Sequence, residues 1–177
     1  MKRRRNCTIA VTLPMAAILF FGPLTRDAVG ASASGLAHFT FDDGLLRTVS
    51  FSAAREFNGT ASGQIDIRDP TPIPAQDVDG TEDPELAGSP SGVALHVDVD
   101  CLRVDGGTAV LGGEVTRSDV TRYVGKYVLL FVQGGARSEG KLTWGFYESH
   151  EGVSCGSLPR GVYTPVEIAG GSFKLRP

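Results

Sequence analysis

"ALHVDVDCLRVDGGTAVLGGEVTRS", residues 94–118, decides how the chain folds. Val97 and Cys101 precede Asp105-Gly106-Gly107, Leu111 and Val115 follow it, and polar residues alternate with apolar ones on both sides. Such alternation marks strands with one buried and one wet face, because successive side chains point to opposite sides of the pleat. The glycines supply the left-handed backbone that a tight hairpin needs. If Asp105, Gly106 and Gly107 all form the loop, Val97 faces Val115 and Cys101 faces Leu111. On the other side His96 faces Thr116 and Asp98 faces Glu114. A two-residue loop would set the aspartates against Val115 and Leu111 or Gly113. Keeping the apolar face together favours the three-residue loop.

The same period of two runs outward from this hairpin. In "LLRTVSFSAA" Leu45, Val49, Phe51 and Ala53 share one face, and in "TASGQIDIR" Ala61, Gly63, Ile65 and Ile67 do. Between them "EFNGT" carries Asn58-Gly59, a strong hairpin signal, although Asn58-Gly59-Thr60 also spells a glycosylation sequon. Phe39 and Phe41 of "AHFTF" read as inward-facing, as do Leu142, Trp144 and Phe146 of "LTWGFY" and Phe173 and Leu175 of "SFKLR". "YVLLFV", residues 127–132, is apolar on both faces and reads as a doubly covered strand. No long stretch shows a helical apolar period. The sequence predicts an all-β domain, an antiparallel meander of about eight strands closed as a barrel or stacked as a sandwich.

One segment departs from this pattern. Residues 69–92 carry five of the ten prolines and six acids, which rules out a ladder strand because proline lacks the donor. Within this insert Asp77, Asp79, Glu82 and Asp83 form only a fragment of a calcium-loop pattern, so a solvated insert is the expectation.

The ends and the cysteines speak of compartment. "MKRRR" followed by the apolar run Thr8–Leu24 and the small-residue stretch "AVGASASG" reads as a secretory signal peptide over residues 1–33, cut after Ala31 or Ala33. Residues 34–177 then form a single secreted domain, with no transmembrane segment left after cleavage. Loss of residues 1–33 takes five of the 17 basic residues and one of the 20 acids, leaving 12 and 19 and a net charge of −7. That charge argues against nucleic acid as a partner and leaves an extracellular ligand or protein. Cys101 and Cys155 remain, an even count in an oxidising compartment, and are expected to form a disulfide.

The chemistry-bearing residues centre on the opening hairpin. His96, Asp98 and Asp100 lie at every second position, and the predicted register adds Glu114 to the same face. Imidazole with carboxylates suits zinc, manganese or iron, so His96, Asp98, Asp100 and Glu114 are the candidate metal set. The competing reading is an ordinary wet face, with Arg103, Arg117 and Arg122 near enough in sequence to balance the acids. That plainer reading is favoured. No H-E-x-x-H, no G-x-S-x-G and no phosphate-cradling glycine loop occurs, so no catalytic residue and no cofactor is assigned. His38 and His150 lie on separate segments, and an oxidised Cys155 could not act as nucleophile beside His150.

Phe51 to Ala53, which match the last three positions of an F-x-F-x-A segment with Val49 at its first, stand in series with Asn58-Gly59, Gly63-Gln64 and Cys101 to Val104 as N-G, G-Q and C-L-x-V. In this the chain resembles a group of small secreted actinobacterial proteins over about half its length. The resemblance implies a secreted β-domain and no particular activity. The sequence therefore points to a non-catalytic extracellular binding domain. A metal-dependent enzyme at the His96, Asp98 and Glu114 face is one alternative, and assembly through strand edges another.

Overall fold

The computed structural model describes residues 30–71, 92–134, 140–156 and 165–177. The signal-peptide reading up to residue 29, and Asp77, Asp79, Glu82 and Asp83 of the insert, lie outside the described residues. Among the described residues nine antiparallel strands form one sheet: β1 Ser32–Thr40, β2 Leu46–Arg55, β3 Ala61–Asp69, β4 Val93–Asp105, β5 Thr108–Ser118, β6 Tyr127–Gln133, β7 Lys141–Tyr147, β8 Val166–Glu167 and β9 Gly170–Arg176. The spatial order is β8-β7-β6-β5-β4-β3-β2-β1-β9, a meander whose last strand returns beside its first. The two-residue β8 is the strand the alternation pattern does not predict, because its pairing is set by its neighbour rather than by its own sequence.

A single curled half-barrel, not two stacked sheets, resolves the barrel-or-sandwich alternative. The curl brings the two ends of the sheet together at one rim. Ile168 N donates to Gly140 O and Ala169 N to His38 O, both at 2.8 Å, so two residues bridge the ends of β7 and β1. Across the interior the Phe39 and Trp144 rings meet at 5.3 Å, and Phe51 lies 6.4 Å from Phe173. Around them Val49, Ile65, Ile67, Val97, Leu111, Val115, Val128, Leu130, Val132 and Leu142 are buried in one core. A sheet with its inner face lined this way removes most of its apolar area from water without a second layer.

The hairpin between β4 and β5 corrects the predicted register. The loop holds only Gly106 and Gly107, with φ of 54° and 82°, and Asp105 pairs with Thr108. Cys101 therefore lies opposite Gly112 and Leu102 opposite Leu111. Between Val99 and Cys101 the register shifts, with Asp100 as the extra residue, and Val97–Val115 and Asp98–Glu114 then pair as predicted. A second shift, between His96 and Val97, leaves Thr116 unpaired and sets His96 against Arg117. One bulge on each strand cancels the other. The mixing of faces that counted against a two-residue loop is removed by the bulge.

The first bulge turns Cys101 to the outer face. There it joins Cys155, with sulfurs 2.08 Å apart and Cα atoms 6.0 Å apart. Val110, Tyr127, Leu129 and Cys155 form a second buried cluster on this outer side, with Phe131, Tyr147 and Val153 packed against it. This accounts for the two apolar faces of β6. Gly112 makes the approach feasible, because a Cβ there would lie 2.6 Å from both the Cys101 sulfur and the Tyr127 hydroxyl.

Two inward assignments are modified at this end of the sheet. Phe41 follows β1 and lies at the rim, 42% exposed, with its ring still against Phe39 at 5.6 Å and Trp144 at 6.3 Å, and Leu45 lies outside β2. The inward position at that end of β2 belongs instead to Arg47, which is 2% exposed. Its guanidinium donates to Asp43 Oδ2 at 2.6 Å, to the Leu45 carbonyl and to the Thr71 hydroxyl, and stacks 4.4 Å from the Phe41 ring centroid. Arg47 Nε lies 3.0 Å from Asp69 Oδ1, close enough for ion pairing though off the hydrogen-bond line. Buried charge is tolerable here because two carboxylates and a carbonyl surround it.

Two outcomes follow from these contacts. Replacing both Cys101 and Cys155 by alanine frees a loop whose ends are separated by 54 residues. It should lower the unfolding free energy by about 4 kcal/mol in urea titrations under oxidising conditions. The Arg47 guanidinium beside Asp43, helped by the Leu45 amide, holds that carboxyl down to about 2 from its ordinary 3.8. Its stabilising effect is thus present above pH 3.8 and fades as pH falls through 2. The gap in urea midpoint between the parent and Asp43→Asn should close over that window.

Candidate functional site

The outer face of β1 to β5 is a grid of cross-strand rows. Ser50 on β2 pairs with Asp66 on β3, Asp66 with His96 on β4, and His96 with Arg117 on β5. One step along, Thr48 pairs with Arg68 and Arg68 with Ala94. One step the other way, Ser52, Gln64, Asp98 and Glu114 line up and end at Tyr127. Small hydroxyl residues fill the β2 positions, and charged or polar residues fill β3 to β5 except at Ala94.

His96 is the fixed point of this face. Its Nδ1 lies 2.7 Å from Asp66 Oδ1 and its Nε2 lies 3.4 Å from Asp98 Oδ1. Its side chain is 18% exposed, against 45% for Asp66 and 65% for Asp98. Carboxylates on both sides fix the ring plane, and the short contact makes Nδ1 the donor to Asp66. Asp66 is the partner the sequence reading missed, because it lies 30 residues away on a different hairpin. The signal existed in the alternation of "QIDIR", which already places Asp66 on the outer face.

An open groove of about 550 Å³ lies beside His96. Ser50, Asp66, Arg68, Ala94, His96, Arg117, Ser118 and Asp119 line it with the Ile67 and Leu95 backbone beneath, since those two side chains are buried inward. Asp119 Oδ1 accepts from Ala94 N at 2.8 Å, and Ser118 Oγ accepts from Val120 N at 3.0 Å, so the far wall is pinned. The room above Ala94 comes from its small side chain between Arg68 and the β5 wall.

The four predicted metal residues separate into two places. His96 and Asp98 are adjacent, and Glu114 pairs opposite Asp98. Asp100, the bulge residue, instead accepts from the Tyr127 hydroxyl at 2.6 Å, next to Cys101 Sγ at 3.5 Å. Among the described residues no group of three or more His, Cys, Asp or Glu is arranged to hold a metal ion. Of the other histidines, His38 Nδ1 lies 3.2 Å from Thr48 Oγ1, and His150 is exposed with its ring 6.3 Å from that of Tyr127. The disulfide occupies Cys155.

Comparison with protein-family models, curated proteins and solved structures found no match for this chain. Among the described residues no helix is long and apolar enough to cross a membrane.

Burial, and then the Asp100 carboxylate, push the Tyr127 phenol above its ordinary value of 10.0. The neutral phenol is therefore favoured by folding, an advantage present below pH 10 and lost as pH rises beyond it. Tyr127→Phe should be less stable than the parent at neutral pH, and the difference should shrink above pH 10 in alkaline unfolding curves.

Proposed function

We propose that this chain is a secreted, non-catalytic β-domain that binds an extracellular ligand in the groove beside His96. The observation that carries the reading is the combination of a rigid sheet floor with a pinned histidine and outward polar groups. Sites on strands hold such groups more firmly than sites on loops, so little ordering is required when a ligand arrives. The disulfide accords with an oxidising compartment.

The test is a ligand screen on the mature, oxidised protein by amide chemical shifts. A specific ligand should move the resonances of Asp66, Ala94, His96 and Arg117 together. His96→Ala should weaken that ligand by about tenfold, the cost of one charge-assisted contact. Shifts confined to the covered face around Tyr127 and Leu129, or to the interior near Trp144, would overturn the assignment.

A further inference from the structure

We infer that the groove's ligand is a hydroxylated carboxylate, a uronate unit of an extracellular acidic polysaccharide, held by Arg68 and Arg117. This rests on the binding reading above and adds the ligand class. The acids lining the groove are already engaged: Asp66 by the His96 ring and Asp119 by the Ala94 amide. The two arginines are not. Arg68 and Arg117 make no ion pair or hydrogen bond among the described residues, on a face where Lys126, Arg103 and Lys141 each have an acidic partner. Fork-shaped guanidinium donors without partners, next to acids that have theirs, leave the groove with donor capacity suited to an incoming carboxylate.

The spacing supports an extended occupant. Arg68 pairs with Ala94 and Arg117 with His96, so the two arginines stand on either side of β4 and two residues apart along it. Strand spacing and rise put their Cα atoms roughly 12 Å apart. Side chains of that length close on a sugar ring from both sides, or meet carboxylates on successive rings. Ser50, Ser118 and Asp119 line the same space and suit sugar hydroxyls, which both donate and accept. An acidic peptide fits less well. Peptides dock through pockets for apolar side chains or through sheet edges, and this groove has neither, because Ile67 and Leu95 turn inward and all four strands are internal to the sheet.

The experiment titrates the mature protein with hexagalacturonate, and separately with maltohexaose, hexa-aspartate and inorganic phosphate. Binding is read by amide shifts and by calorimetry at two salt concentrations. Hexagalacturonate should shift Ala94, His96 and Ser118. Arg68→Gln and Arg117→Gln should each weaken it about tenfold. Both variants change exposed side chains, and an unchanged amide spectrum away from the groove confirms their fold. The neutral sugar and phosphate should leave the groove unmoved. Equal binding of hexa-aspartate would overturn the sugar assignment. Groove shifts from maltohexaose, indifferent to both arginine variants, would overturn the carboxylate assignment while preserving the groove as a binding site. No groove shift from hexagalacturonate would overturn the inference outright, whatever the wider screen finds.

Discussion

Two compensating bulges govern what each face of this sheet presents. Asp100 inserts one residue into β4, and Thr116 inserts one into β5 a few residues further from the turn. Between them Val97, Val99 and Val115 stay in the core. Outside them the register returns to the value set by the glycine turn. Without the first, Cys101 would point into the core, away from Cys155, and the outer cluster around Tyr127 would lose its staple. Without the second, His96 would lie opposite Thr116 instead of Arg117, and the groove would lose one of its two cationic walls. A bulge re-aims side chains at little cost in pairing, which is why one hairpin can serve both the covered and the open half of the face.

The same division runs through the whole outer surface. On β5 to β7 an outward apolar patch, Val110, Tyr127, Leu129, Phe131 and Tyr147, is roofed by residues 148–156, with the disulfide holding that roof to β4. On β1 to β4 the outward residues are mostly serine, threonine, histidine and charge, with Leu36 and Leu46 as exposed exceptions. Tyr127 stands on the boundary, its ring in the apolar cluster and its hydroxyl on Asp100. Inside, Arg47 plays a different part. It ties the β1–β2 turn at Asp43 to the end of β3 at Asp69 and Thr71, and so fixes where the proline-rich insert leaves the sheet.

Much of this was legible in the sequence, and what was not has physical causes. Alternation found the strands, because period two survives any pairing. The disulfide was legible from Cys101 and Cys155, the two cysteines outside residues 1–33. The core positions of Phe51, Ile65, Ile67, Val97 and Val115 followed from the same period. Bulges escaped detection because an extra residue leaves no mark in composition and the glycine turn allowed two loop lengths. Arg47 escaped because a charged residue at an inward position reads as a break in the pattern unless Asp43 and Asp69 are known to converge on it. The Asp66–His96 pair escaped because it joins two hairpins. In each case the missing information was non-local.

Ser32 pairs with Arg176 at one extreme of the β1–β9 ladder, and His38 with Gly170 at the other. Any chain continuing beyond these strands thus leaves from one rim, side by side. Tension applied through both ends would load the ladder's hydrogen bonds one pair at a time, in the manner of a zipper, rather than all together in shear. From the N-terminal side peeling would reach the cross-linked middle of β4 only after β1, β2 and β3 had separated. From the C-terminal side, once β9 and β8 are free, Cys155 hands the load to Cys101 and the disulfide shields the strands between. The domain is thereby built to give way gradually at its ends while its covered half stays locked.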